Sequence, residues 1–230
     1  MSTTSQVTSF SDMITNLSNR LRLTTGVTAT ETQLKTALNT ALHDMHVGMD
    51  YKFPWAERRA VIRTQDDYTT GTVTTTKGST AVTGASTLWA TANDFAVNNA
   101  RANGKIVFSG GRTPYIVSSV TNDTAIVLTE RFTETSLAAG SSYTYYEDEY
   151  ALASDFLRTV DMQTFSDVAE IKLISRTEFR ARYPVNSTVG RPRVACLLDF
   201  APSGDTVPIR RVKFAPPPND FLQIPYAYIT

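Results

Sequence analysis

The feature that most constrains this chain is a change of texture at Gly71. In GTVTTTKGSTAVTGASTLWA, residues 71–90, Thr, Val and Gly alternate in pairs. That pattern belongs to short, half-buried strands separated by turns and cannot sustain a helix. The sequence before it has helical periodicity, and the sequence after residue 147 has a third character. A β unit placed between two dissimilar flanks is expected to be an insertion in a loop of a host domain. The expected organisation is therefore a host of residues 1–68 and 148–230 with an inserted β domain at 71–147.

The opening of the host is helical. Phe10, Met13, Ile14, Leu17 and Leu21 step by three and four residues, which predicts a helix capped by Ser9 or Ser11 and ending near Gly26. Thr28 and Glu31 have capping-box spacing. Leu34, Leu38, Leu42 and Met45 then form an apolar stripe, predicting a second helix over 29–46. The two amount to a helical hairpin whose apolar faces need a partner. An aromatic cluster, Tyr51, Phe53 and Trp55, leads to a first host strand over Ala60 to Thr64.

Within the β unit, Val73 and Thr75, a Lys77-Gly78 turn and Ala81-Val82-Thr83 predict a hairpin. KIVFSGGRTPYIVSSV predicts two strands around Gly110-Gly111, and AIVLTE another. Five or six short antiparallel strands suffice for a small sandwich or barrel. Beyond it, DVAEIKLI reads as a strand, and Ser175 to Glu178 as a cap for a short helix stopped by Pro184. VACLLDF, TVPIRRVKF and FLQIPYAYI read as three further strands. The fold class expected is α+β: a helical hairpin packed with a mostly antiparallel β host, plus the inserted all-β domain.

Composition narrows the function. Hydrophobic residues make up 41% of the 230, enough for a substantial core. The 22 basic and 22 acidic side chains cancel, so overall charge gives no grip on nucleic acid, an anionic membrane or an acidic substrate. The opening MSTTSQVTSFSDM lacks a basic region followed by an apolar run, and no stretch approaches the ~20 apolar residues of a membrane span. The expectation is a protein made in the cytoplasm, with no membrane partner. Cys196 is the single cysteine, in an apolar context that favours a buried structural role.

No catalytic constellation emerges. His43, Asp44, His46 and Asp50 are the only metal-ligand cluster, but histidines at a helix C-terminus also complement its dipole, the stronger reading. SerGlyGlyArg at 109–112 lacks the GK[ST] of a phosphate loop and reads as a hairpin turn. Glu147-Asp148-Glu149 could hold Ca²⁺, yet successive residues of an extended chain point to opposite faces, which favours a solvated acidic rim. The arginines at 58–59, at 176, 180 and 182 and at 210–211 read as solvated faces or interface ion pairs. Catalytic, metal and cofactor residues are thus all expected to be none.

The run Tyr150-Ala151-Leu152-Ala153-Ser154-Asp155-Phe156-Leu157-Arg158 resembles the Tyr-x-Leu-Pro-x-Asp-Phe-Leu-Arg signature of tailed-phage head-to-tail adaptor proteins, with Ala153 in place of the usual Pro. GRPRVACLLD and VKFAPPPNDFLQIPYAY resemble the family's later elements. The stretch 71–147 resembles the Thr- and Gly-rich β modules inserted in phage structural proteins. The resemblance implies a virion neck protein that is not an enzyme: a homo-oligomeric ring, twelve copies in the usual adaptor, beneath the portal protein. Such a ring extends the DNA channel, touches the genome transiently and non-specifically, and docks the next neck or tail protein. The interface residues expected are Leu34, Leu38 and Leu42 of the helix stripe and Phe214, Phe221, Tyr226 and Tyr228 near the C-terminus. The last strand either completes a sheet or pairs across a subunit boundary. Competing readings are another tail or fibre-associated virion protein, or a carbohydrate-binding protein that stacks sugars on Trp89, Tyr115 and Tyr143.

Overall fold

The computed structural model describes residues 10–22, 28–47, 57–162, 171–198 and 209–229. The architecture is mixed α+β, mostly β, with antiparallel sheets. The chain divides into two compact units, residues 1–54 and 55–230.

The first unit holds α1 (Phe10–Leu21) and α2 (Thr28–Val47), which lie against each other. Leu34 and Ser18 are buried, whereas Met13, Ile14, Leu17 and Leu38 are half-buried and Leu21 is exposed. Thr15, Thr36 and Thr40 turn their hydroxyls onto the carbonyls four residues back, which satisfies them within the helix. Ser9, Gly26 and the side chains of Leu42 and Met45 lie outside the described residues.

The second unit contains three sheets. Its strands are β1 (Glu57–Arg63), β2 (Thr72–Thr75), β3 (Ala81–Ala85), β4 (Lys105–Phe108), β5 (Tyr115–Asn122), β6 (Ala125–Leu128), β7 (Leu137–Ser141) and β8 (Tyr143–Tyr146). They continue as β9 (Glu149–Ala151), β10 (Arg158–Met162), β11 (Lys172–Leu173), β12 (Val194–Leu198), β13 (Arg211–Ala215) and β14 (Gln223–Ile229), with helix α3 (Arg176–Arg182) between β11 and β12.

Seven of these, ordered β7-β2-β3-β6-β5-β4-β8, make one sheet from residues 72–146 alone. Alternate residues point inward: Val73, Val82, Ile106 and Phe108, Tyr115 and Val117, Ile126 and Leu128, Tyr143 and Tyr145 share one cluster with Trp89 and Phe132. For the inward faces of so many strands to meet in one cluster the sheet must curl, which gives the half-barrel form. The Lys77-Gly78 turn joins β2 to β3 as expected, with Gly78 at φ +85°, a conformation that favours glycine. The sheet has one strand more than the expected maximum. The additional strand is β7, LAAGS, which has no alternating apolar pattern and is a strand because β2 pairs with it at Val73↔Ser141 and Thr75↔Leu137.

The other two sheets face each other. One is β1-β14-β10 and the other β11-β12-β13-β9. Ile62, Tyr150, Phe156, Met162, Val212, Phe214, Ile224, Tyr226 and Tyr228 interleave between them. On the outer side of β12 and β13, Cys196 and Ala215 pack with Phe179 of α3, so odd and even residues of one strand serve two cores. Ser175 caps α3, its Oγ accepting from Glu178 N at 3.2 Å. Glu178 turns its carboxylate to Arg182, 2.8 Å away. DVAEIKLI is a strand only at Lys172–Leu173 among the described residues.

Candidate functional site

The acidic run and its surroundings form the most heavily built polar site among the described residues. YYEDEYALA carries the chain from β8 directly into β9, between the seven-stranded sheet and the paired sheets. Contrary to the solvated rim expected, Glu147 and Asp148 are buried, Asp148 to 1% exposure. Asp148 accepts from Lys105 Nζ at 2.7 Å on both oxygens, and from Asn186 Nδ2 at 3.3 Å. Lys213 Nζ lies 3.3 Å from Asp148 and 3.0 Å from Glu149, and Glu149 also lies 3.4 Å from Lys105. Two carboxylates therefore neutralise two ammonium groups around the buried Asp148, the condition under which buried charge is tolerated.

Glu147 faces another way and chelates Arg101, whose Nε donates to Oε1 at 2.8 Å and whose Nη2 donates to Oε2. Tyr145 Oη donates to the same Glu147 oxygen at 2.9 Å and accepts from Arg101 N at 2.8 Å. Tyr150 Oη donates to Glu147 O and accepts from Gln65 N. Gly104 leaves room for this arrangement, since a Cβ there would lie 2.0 Å from Tyr145 Oη. These contacts tie β4 and β8 of one sheet to β9 and β13 of another.

Burial and the partners act oppositely on the ionisable groups. Burial raises the Glu149 carboxyl, but Lys105 and Lys213 outweigh it and hold it below its ordinary value. Burial lowers the Lys105 ammonium despite Asp148 beside it. Lys213, less enclosed, is raised because Asp148 and Glu149 overcome its desolvation. The Tyr145 and Tyr150 hydroxyls are pushed up by burial and then by Glu147, so they stay protonated as donors.

The segment Tyr150 to Arg158 is a clasp around the last strand. Ala153 N donates to Tyr226 Oη at 2.8 Å, Leu157 N to Ile229 O at 2.9 Å, and Tyr228 Oη to Asp155 Oδ1 at 2.9 Å. Arg58 Nη1 reaches Asp155 Oδ2 at 2.9 Å, and Phe156 stacks on Tyr228 with centroids 5.8 Å apart. Arg210 Nη1 donates to Leu157 O.

The expected interface residues separate into groups. Phe214, Tyr226 and Tyr228 are buried in the chain's own core. The last strand completes a sheet: β14 is paired on both edges, with β1 and β10, so it has no free edge to offer a neighbouring subunit. Phe221 is half-buried under Phe95, with centroids 4.3 Å apart. Leu34 is buried, Leu38 is half-buried, and the Leu42 side chain lies outside the described residues.

The three rings weighed as sugar platforms are all enclosed: Trp89 at 0%, Tyr115 at 4% and Tyr143 at 3% exposure. Trp89 Nε1 donates to Tyr143 Oη at 2.9 Å, so this pair packs and bonds internally and presents no face to a ligand.

His43 and Asp44 are exposed and 4.0 Å apart; the His46 side chain and Asp50 lie outside the described residues. Among the described residues no group of three His, Cys, Asp or Glu is placed to hold a metal ion. SerGlyGlyArg at 109–112 begins the β4–β5 turn, Gly111 N donating to Phe108 O at 3.0 Å. No protein-family model, curated protein or solved structure matches the chain. The residues missed by sequence reasoning are Lys105, Lys213 and Asn186, which meet the acidic run only through tertiary pairing. No local signal in YYEDEYALA marks these partners.

Proposed function

We propose that the protein is a structural head-to-tail adaptor of a tailed phage, a portal-matched ring subunit whose residues 71–147 form an inserted β domain. The observation that carries this reading is the role of Tyr150 to Arg158, the segment with the adaptor-like signature. Its side chains and amides bind β1 and β14 into one layer, so the signature residues have a shared structural task. Phe156 and Asp155 both hold Tyr228.

Support for the insertion comes from its entry and exit. Tyr68 N donates to Tyr145 O at 2.8 Å and Tyr145 N to Tyr68 O at 2.9 Å, so the chain leaves the host and returns beside itself. The strands between those points pair only with one another in their sheet. The paired sheets would then form the ring body, and the inserted domain would project outside the channel, fixed by the ionic junction. Zero net charge suits a channel through which DNA slides. No helix among the described residues is long and apolar enough to cross a membrane.

The experiment is quantitative mass spectrometry of purified particles, with copies of this chain counted against the portal subunit. A one-to-one ratio is expected. A large excess would move the protein to a tail tube or capsid surface, and absence from the particle would overturn the adaptor reading.

A further inference from the structure

Two surfaces of the second unit carry opposite charge, one on a projecting loop and one in an open cleft. The first is a knob, the loop between β3 and β4. Asn93 Oδ1 accepts from Phe95 N at 3.0 Å and Val97 N at 3.1 Å, while Asn93 N donates to Val97 O at 2.8 Å and Ala96 N to Asn93 O at 2.9 Å. This closed set of bonds fixes the backbone and presents the exposed Asp94 together with Phe95, which is 63% exposed although Phe221 supports its ring from below. An aromatic ring held out on an ordered loop loses little conformational entropy on docking.

The second is a socket, an open cleft of about 1080 Å³ between the outer side of β5 and the α3–β12 layer. Pro114 and Ile116 form one wall, Ile116 being 45% exposed, and Tyr183 stands on the other. Arg176 and Arg180 of α3 also line it. Lys105 and Lys213 at its floor are matched by Asp148 and Glu149, and Arg180 adds positive charge to its lining. The volume admits a phenyl ring, and the Arg180 guanidinium suits a carboxylate beside it.

We propose that the Asp94-Phe95 knob of one copy docks in the cleft of the next, Phe95 against Ile116 and Tyr183 and Asp94 toward Arg180. Phe95 is not among the residues lining the cleft, so knob and socket are different surfaces and the contact is head-to-tail, of the kind that closes into rings. It rests on the ring assembly proposed above and names the surfaces that make it.

Analytical ultracentrifugation of the full chain over rising concentration tests it. The wild type is expected to self-associate, and Phe95→Ser to weaken association about 10-fold or more. Asp94→Arg and Arg180→Asp should each weaken it, and the two together should restore it, which a merely structural role for either residue would not produce. Association unchanged by Phe95→Ser and Arg180→Asp overturns the contact while leaving the adaptor reading to the particle copy number. A wild type that stays monomeric throughout also overturns the contact, and the copy number again judges the adaptor reading separately.

Discussion

Replacing Asp148 by Asn removes a charge from the centre of the junction while nearly preserving its volume. Asp148 is 1% exposed, and Lys105 Nζ and Lys213 Nζ lie 2.7 and 3.3 Å from its Oδ2. In the variant Glu149 alone, at 3.4 and 3.0 Å from the two ammonium groups, must balance both. Removing one partner from a buried ion pair costs about 3–5 kcal/mol, since the remaining charge stays desolvated. For a folded unit of this size the thermal midpoint should fall by on the order of 10 °C.

Equilibrium urea denaturation, followed by far-UV circular dichroism and, in a Trp55→Phe background, by the fluorescence of the buried Trp89, measures the loss. The two probes also report whether the seven-stranded sheet unfolds with the paired sheets, as a junction of this kind requires. A control separates charge from packing. Lys105→Met combined with Asp148→Leu leaves Lys213 and Glu149 as a balanced pair, and should recover more than half of the loss. If Asp148→Asn costs under about 1 kcal/mol, or the double substitution is no better than the single one, the account of the junction as a charge-balanced core is wrong.

Glu149→Gln should show the sign of the pKa shift. Because the folded carboxyl is held below its ordinary 4.5, its stabilisation is complete above that pH and is lost as pH falls through the lower folded value. The stability gap between wild type and Glu149→Gln should stay constant from pH 7 to about 4.5 and then shrink; a gap that widens on acidification would contradict the assignment. Phe156→Ala should cost about 3–4 kcal/mol and lower hydrogen-exchange protection along β14 more than along β4. Gly104→Ala should destabilise by about 2–3 kcal/mol in calorimetry, because the added methyl collides with Tyr145. Ser175→Ala should cost about 1 kcal/mol through loss of the α3 cap.

Helices α1 and α2 and the β2–β3 hairpin were legible in the sequence because their signals are local. Leu34 and Leu38 repeat at helical spacing, and Gly78 sits where a turn needs positive φ. What sequence could not supply was neighbourhood. FLQIPYAYI reads as a strand, but whether it lies at an edge depends on β1 and β10, which lie far upstream in the chain. Its central position turns Tyr226 and Tyr228 from surface candidates into core. Strand β7 was invisible for the converse reason: LAAGS has no strand pattern of its own, and β2 imposes one on it.

The acidic run shows how a sound local rule led to the wrong environment. Successive residues of an extended chain do point to opposite faces, and here Glu147, Asp148 and Glu149 take Arg101, Lys105 and Lys213 as their main partners. Solvation was inferred on the premise that at least one face of a strand is wet. Where the chain crosses between two sheets, Glu147 and Asp148 lose their wet face while Glu149 keeps part of its own at the cleft, and alternation distributes the charges among separate partners. Here three adjacent carboxylates meet three cations that arrive from elsewhere in the chain. Where those cations come from two different sheets, the run acts as the joint between them.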